Sequence, residues 1–239
     1  MINFKNYNEP LLEAKNTHMT HIEDLVLDGG VKGARQAILA LRALRDMLSG
    51  HAKSPVDVTV KWDGAPAVFA GEDPRGGSFF VAKKGIFNAD PKEYKNHDDI
   101  KADTSGDLSK KLIMAFDGLK DLGIKGVIQG DFMFDKSDLK GETINGQKVI
   151  TFHPNTIVYA VPYASQLEKK ISKADVGIVW HTSYSGGTFE TMQAKFGGDI
   201  VGKLKKSSKV WMVNADLDDL SGNATFTAAD NLKVTKLLS

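Results

Sequence analysis

The chain has no cysteine, which excludes disulfides and thiolate metal sites and makes a reducing cytoplasm the expected compartment. Arginine is scarce as well: of the 31 basic residues only Arg35, Arg42, Arg45 and Arg75 are arginine, so an anion site here is built from lysines. An excess of charge of one sign is also missing. A net charge of +1 argues against a protein that coats nucleic acid through bulk electrostatics. Long apolar runs are lacking too. Stretches such as Gly177-Ile178-Val179-Trp180 fall far short of the roughly 20 residues that a bilayer requires, so no membrane span is expected. The first ten residues lack a basic segment followed by an apolar one, and no secretory signal is expected. Internal repeats, heptads and low-complexity segments are absent from the sequence.

What remains is 239 residues of ordinary globular composition, 41% hydrophobic and 26% charged, enough to bury one sizeable core. Three regions are expected. Residues 1–52 read as a helical pair packed on the core, 53–215 as the main domain and 216–239 as a polar tail. In the first, Thr20-His21-Ile22-Glu23 fits a capping box, Asp28-Gly29-Gly30 ends a short helix, and a second helix runs over 33–49 with Ala34, Ala37, Ile38, Leu41, Leu44 and Leu48 on one stripe. From Pro55 the period becomes two, with Val56, Val58 and Val60 on one face and Thr59, Lys61 and Asp63 on the other, the pattern of a half-buried strand. Further strands are expected near 67–70, 79–84, 127–134, 149–152, 156–161, 176–181 and 210–213, with helices over 107–122 and 165–173. Strands without regular βαβ alternation predict an α+β fold with antiparallel sheets.

The most informative string is Lys61-Trp62-Asp63-Gly64. A lysine at a strand end can hold its amine in a cleft while the glycine turns the chain closely past a ligand. By itself the string is better read as a strand ending in a polar turn with Lys61 in water. Its order with later segments adds information: Phe79-Phe80-Val81-Ala82-Lys83-Lys84-Gly85, Val127-Ile128-Gln129-Gly130-Asp131, Thr156-Ile157-Val158-Tyr159-Ala160-Val161, Val176-Gly177-Ile178-Val179, and a lysine cluster at Lys203, Lys205, Lys206 and Lys209. This succession resembles the covalent nucleotidyltransferase superfamily of ATP-dependent DNA ligases, RNA ligases and mRNA capping enzymes. The likeness runs from Thr59 to about Trp211, close in wording at the first element and matching by type and order in the rest.

The resemblance implies an ATP-grasp-like α+β nucleotidyltransferase domain, with antiparallel sheets flanked by helices about an ATP cleft and no OB-fold. It implies that Lys61 attacks the α-phosphate of ATP to form a lysyl-adenylate. Thr59 would read the adenine, with Asp63 and Gly64 lining the cleft, and Lys83 would replace an arginine on the ribose or incoming phosphate. Asp131 would replace a glutamate on the ribose or Mg²⁺, and Lys203 and Lys205 would neutralise phosphate charge. Three positions depart from the family pattern. Pro66 stands where an arginine is frequent. Val161 takes the place of the adenine-stacking aromatic, so Tyr159 or Tyr163 would have to serve. Val176 occupies the position of a metal-binding glutamate, with Asp175 one residue away, and His181 stands where a lysine is usual.

Three functions are weighed on this basis. The first is ATP-dependent polynucleotide ligation, with AMP passed to a 5′-phosphate at a nick or end. The second is a catalytically silent ligase-like module that binds nucleotide or serves phage assembly. The third is GTP-dependent guanylylation of RNA ends. A narrower likeness to uncharacterised tailed-phage proteins rests on His18-x-x-His21-x-Glu23-Asp24, Lys61-Trp62-Asp63-Gly64-Ala65-Pro66-Ala67, Phe79-Phe80-Val81-Ala82-Lys83-Lys84-Gly85-Ile86-Phe87-Asn88 and Gln129-Gly130-Asp131. It implies a virus-encoded monomer in the host cytoplasm, with a phage protein as a further partner. The two histidines near residue 20 lack the H-E-x-x-H arrangement of a zinc site, and capping or solvated roles suit them better. No G-x-S-x-G and no phosphate-binding P-loop occurs. Trp180, between apolar residues, is expected in the core.

Overall fold

The structure is a computed structural model that describes residues 22–49, 60–216 and 226–239. The chain divides into two units, Thr59–Asp216 and a second made of Met1–Val58 with Leu217–Ser239. The expected boundaries lie at 53 and 215, and within the expected tail the structure describes a helix, Ala228–Leu237.

That smaller unit pairs the first helix, α1 (Ile22–Leu48), with the last, α5 (Ala228–Leu237). Gly30 interrupts α1 with φ 50°, ψ −134°, so the expected pair of helices is realised as two segments meeting at one glycine. Gly33 and Ala37 are the buried residues of α1, and at Gly33 a Cβ would collide with the Leu25 carbonyl. The α5 helix starts at Thr227, whose hydroxyl accepts from the Asp230 amide while the Asp230 carboxylate accepts from Thr227, a reciprocal capping box. Arg42 donates to Leu238 O (2.9 Å) and the Phe226 amide to Leu48 O (2.7 Å).

The larger unit carries β1 (Ala67–Glu72), β2 (Phe79–Ala82), α2 (His97–Asp103), α3 (Gly106–Leu119), β3 (Val127–Asp135), β4 (Lys140–Ile144), β5 (Gln147–Phe152), β6 (Tyr159–Pro162), α4 (Gln166–Ile171), β7 (Val176–Ser185), β8 (Gln193–Phe196) and β9 (Val210–Asn214). Six strands form one sheet in the order β2-β1-β3-β7-β8, with β9 also on β7; β4-β5-β6 form a second. Every pairing is antiparallel except β7 with β9. The fold is α+β with antiparallel sheets and helices, as the sequence pattern predicts.

The α3 stripe packs Leu112, Ala115 and Leu119 on one face of the large sheet, against Val68, Ala70, Ile128, Ile178 and Trp180. Trp180 is fully buried, as expected. On the opposite face Phe69, Phe80, Val127, Tyr184 and Phe189 form a second cluster. A third joins the two sheets through Phe134, Phe152, Val161, Ile171 and Trp211. The expected strand at 56–63 falls largely outside the described residues, and 60–63 have no strand assignment. The expected strand at 79–84 ends at Ala82, and Lys84–Phe87 form a 3-10 turn.

Candidate functional site

The segment 60–66 is sewn to the large unit at both ends. The Val60 amide donates to Ala215 O (2.7 Å), the Ala65 amide donates to Phe132 O (2.9 Å), and the Phe132 amide donates to Pro66 O (3.0 Å). Ala65-Pro66 is a cis bond, and β1 then continues the pairing with Ala67 opposite Asp131. Between these ties Lys61 is exposed and has no hydrogen-bond or ion-pair partner among the described residues.

The two residues that follow are fixed tightly. Trp62 stacks on Tyr159 (centroids 5.3 Å apart, planes 20° apart), and Tyr159 stacks in turn on Phe152 (5.2 Å, 13°). The Tyr159 hydroxyl oxygen accepts from the Asp63 amide (2.9 Å). The Asp63 carboxylate receives the Thr156 hydroxyl (2.5 Å), the Asn155 side-chain amide (2.8 Å), and the amides of Thr156 (2.6 Å) and Ile157 (2.9 Å). Those donors, Thr156 and Asn155 foremost, hold its carboxyl well below the usual carboxylate range. Gly64 then passes so close to β3 that a Cβ would sit 2.4 Å from Asp131 Cβ and 2.9 Å from Phe132 O. Only glycine fits there. Gly64 is thus laid directly against Asp131, three residues along the chain from Lys61.

His181 joins them by way of a β-bulge. The β3/β7 register shifts between Gln129, opposite Thr182, and Gly130, opposite Trp180, which leaves His181 as the extra residue. Its Nε2 lies 3.9 Å from Asp131 Oδ1, and its Nδ1 is 2.7 Å from the Thr182 hydroxyl. Further along the same face the Tyr184 hydroxyl donates to Gln129 Oε1 (2.5 Å), and burial pushes that phenol up to about 12.

Lys83 lines a pocket of about 370 Å³ with Pro66, Ala67, Lys84, Gly85 and Leu108. Its amine is paired with Asp103 (2.8 Å), which also receives the Tyr94 hydroxyl (2.6 Å) and Lys92. Lys83, Lys92 and Tyr94, in that order, keep the Asp103 carboxyl well below its ordinary value.

Other expected site residues are placed differently. Tyr159 is not free to stack on adenine, because Trp62 and Phe152 pack on its ring and Asp63 takes its hydroxyl. Asp63 serves the 155–157 loop instead of facing a ligand. Asp175 does not share a metal with Asp131: its amide donates to Lys209 O and its carbonyl accepts from Lys136, whereas Asp131 lies opposite Val179. Four residues at the ~3.3 Å strand rise separate those levels by roughly 13 Å. Lys205 donates its amide to Leu122 O (2.8 Å), and its stem lies along Gly123, just beyond the C-terminal end of α3. Lys203 ends the 3-10 turn Val201–Lys203, whose Val201 and Leu204 neighbours pack on the α3 face of the sheet, opposite to Asp131. Thr59, His18, His21 and His51 lie outside the described residues. Among the described residues no group of three or more His, Asp or Glu could hold a metal ion.

Among the described residues no helix is long and apolar enough to cross a membrane. No curated protein and no solved structure matches the chain. The model of the family described as "Family of unknown function (DUF6267)" matches residues 16–239, and the chain belongs to that family.

Proposed function

We propose that the chain is an ATP-dependent nucleotidyltransferase of the polynucleotide-ligase kind, with Lys61 as its nucleophile. The observation that carries this reading is the fit of Gly64 against Asp131 beside an unpaired, exposed Lys61. A lysine followed by a turn that only glycine permits, laid against a strand that carries the Asp131 carboxylate with His181 beside it, suits covalent capture of a phosphate. In the proposed step Lys61 Nζ, having lost its proton to solvent, forms a bond to the α-phosphorus of ATP. The bond to the β-phosphate oxygen breaks, and pyrophosphate departs with the electron pair. AMP then passes to a 5′-phosphate, and a 3′-hydroxyl displaces it.

Asp63 is committed to its loop, which leaves Asp131 as the carboxylate that would hold Mg²⁺. One carboxylate suffices for an ion that takes most of its remaining ligands from water and substrate phosphates. When bound, the ion would offset phosphate charge. Lys83, paired with Asp103 and lining the pocket with Pro66 and Ala67, is the second cation of this scheme.

A second reading, a silent ligase-like module, is favoured by the occupied ring of Tyr159 and by the distance of Asp175 and Lys205 from the cleft. Intact mass after incubation with ATP and Mg²⁺ separates the two. Gain of one AMP by the wild type, and none by Lys61→Ala, is the expected result. No gain, or a gain that survives Lys61→Ala, removes the enzymatic reading, and a gain from GTP alone transfers it to guanylylation.

A further inference from the structure

The three-stranded sheet has one face that is half core and half open. Val161 and Phe152 at its inner end pack on Phe134. Two residues beyond Val161 on the same face is Tyr163, and two residues before Ile150 is Lys148. Thr143 pairs with Lys148, and the Tyr163 amide donates to Lys148 O (3.0 Å), so Thr143, Lys148 and Tyr163 form one row across the sheet. The Tyr163 phenol reaches from the β6 side across β5 to β4, where its oxygen would be 3.6 Å from a Cβ on Gly141. That distance is ordinary van der Waals contact, so the ring's tip lies over β4 without crowding it. Its other side is open, since Tyr163 is 51% exposed, and a hollow of about 460 Å³ lies over this row.

A half-exposed aromatic ring laid on a sheet, with a lysine beside it in the same row, is an arrangement on which unpaired bases stack while a lysine meets the phosphate. Glu142, the acidic residue of the hollow, alternates to the opposite sheet face from Lys148 and Tyr163. We propose that this outer face is a stacking platform for single-stranded nucleic acid, with Tyr163 under a base and Lys148 on the adjacent phosphate. The platform rests on the polynucleotide reading for the kind of polymer, but its test requires neither ATP nor ligation. It also accounts for how a chain of net charge +1 holds a polymer: locally and through a ring.

The test is fluorescence anisotropy of labelled single-stranded oligothymidylate, its RNA counterpart and a labelled duplex, titrated with the full chain and no nucleotide. Single strands are expected to bind better than duplex. Tyr163→Ala is expected to weaken binding roughly 5- to 100-fold, the range of one lost base stack, and Tyr163→Phe to keep it. Lys148→Ala is expected to lower the salt slope by about 0.7, the share of one phosphate contact. Tyr163→Phe and Lys148→Ala leave the sheet pairing intact and decide the matter if Tyr163→Ala unfolds. Absence of single-strand binding, preference for duplex, unchanged binding by Tyr163→Ala, or equal losses from Tyr163→Phe and Tyr163→Ala would overturn the platform. So would displacement of the probe by an uncharged oligosaccharide. A platform that binds in a protein that takes no AMP leaves the platform standing and removes only the ligase reading.

Discussion

A methyl group on Gly64 would stand 2.4 Å from the Cβ of Asp131, inside any distance two carbon atoms tolerate. The contact is backbone against strand, so neither side can swing away: Ala65 and Pro66 are hydrogen-bonded to Phe132 immediately beyond it. Gly64→Ala is expected to push the Lys61 segment off β3. The cost expected for such overpacking is about 1–3 kcal/mol, read from urea melts, with loss of any covalent labelling of Lys61. A variant as stable as the wild type that still labels would show that the segment does not depend on this approach.

Asp63 makes the protein acid-sensitive in a defined direction. Its folded pKa is depressed, so its contribution is complete above the unfolded carboxylate value of about 3.9 and disappears as the pH falls through the lower folded value. Asp63→Asn should therefore be the less stable protein at pH 7, and the gap to wild type should narrow as the pH is lowered from 5 toward 2. Thermal melts across that window check it; a constant gap would mean that the ionised form is not what the loop requires.

Asp73 provides a second acid-labile point at the far end of β1. Its burial alone would raise the pKa, but the Lys95 amine at 2.6 Å, with the Arg75 amide and guanidinium, brings it down to about 2. Stability from this group is present above about pH 4 and is lost as the pH falls through 2. Asp73→Asn is expected to cost about 1–2 kcal/mol at neutral pH in urea unfolding. That is less than for a fully buried pair, because water reaches both Lys95 and Arg75.

Tyr159 has two separable duties. Tyr159→Phe removes only the acceptor for the Asp63 amide and is expected to cost about 1 kcal/mol. Tyr159→Ala also empties the stack between Trp62 and Phe152 and is expected to cost about 3–5 kcal/mol. Chemical denaturation followed by tryptophan fluorescence distinguishes them, and equal losses would assign the whole effect to the hydroxyl.

Elements with a buried stripe were legible in the sequence, and elements without one were not. The α3 helix carries buried apolar residues at helical spacing, and strands β1, β3, β5, β7 and β9 each carry a run of buried apolar residues. Strand β4 has none: all five of its residues are exposed, and only its ladder to β5 makes it a strand. A signal was present at Asn145-Gly146, where positive φ angles of 51° and 79° turn the chain between them. The α5 helix was equally announced by Thr227 and Asp230 at capping-box spacing, although no residue of it is buried. At the site, Gly64 was legible as a position of close approach, and what it approaches is the strand at Asp131. The duty of Asp63 was not, since its donors lie more than ninety residues away and are ordinary loop residues. The β7 bulge that re-aims His181 left no mark in the sequence either.

The hydrogen bond from Val60 to Ala215, with Ala215 donating in turn to Trp180, closes the larger unit upon itself. Its first and last strand-like segments leave from neighbouring points, so in chain order it is a guest inserted into a host whose two halves are α1 and α5. A guest with adjoining ends can be cut out, or its ends joined and the chain reopened elsewhere, without stretching any strand. The Asn145-Gly146 turn between exposed strand ends is the natural place for new termini, far along the chain from Lys61.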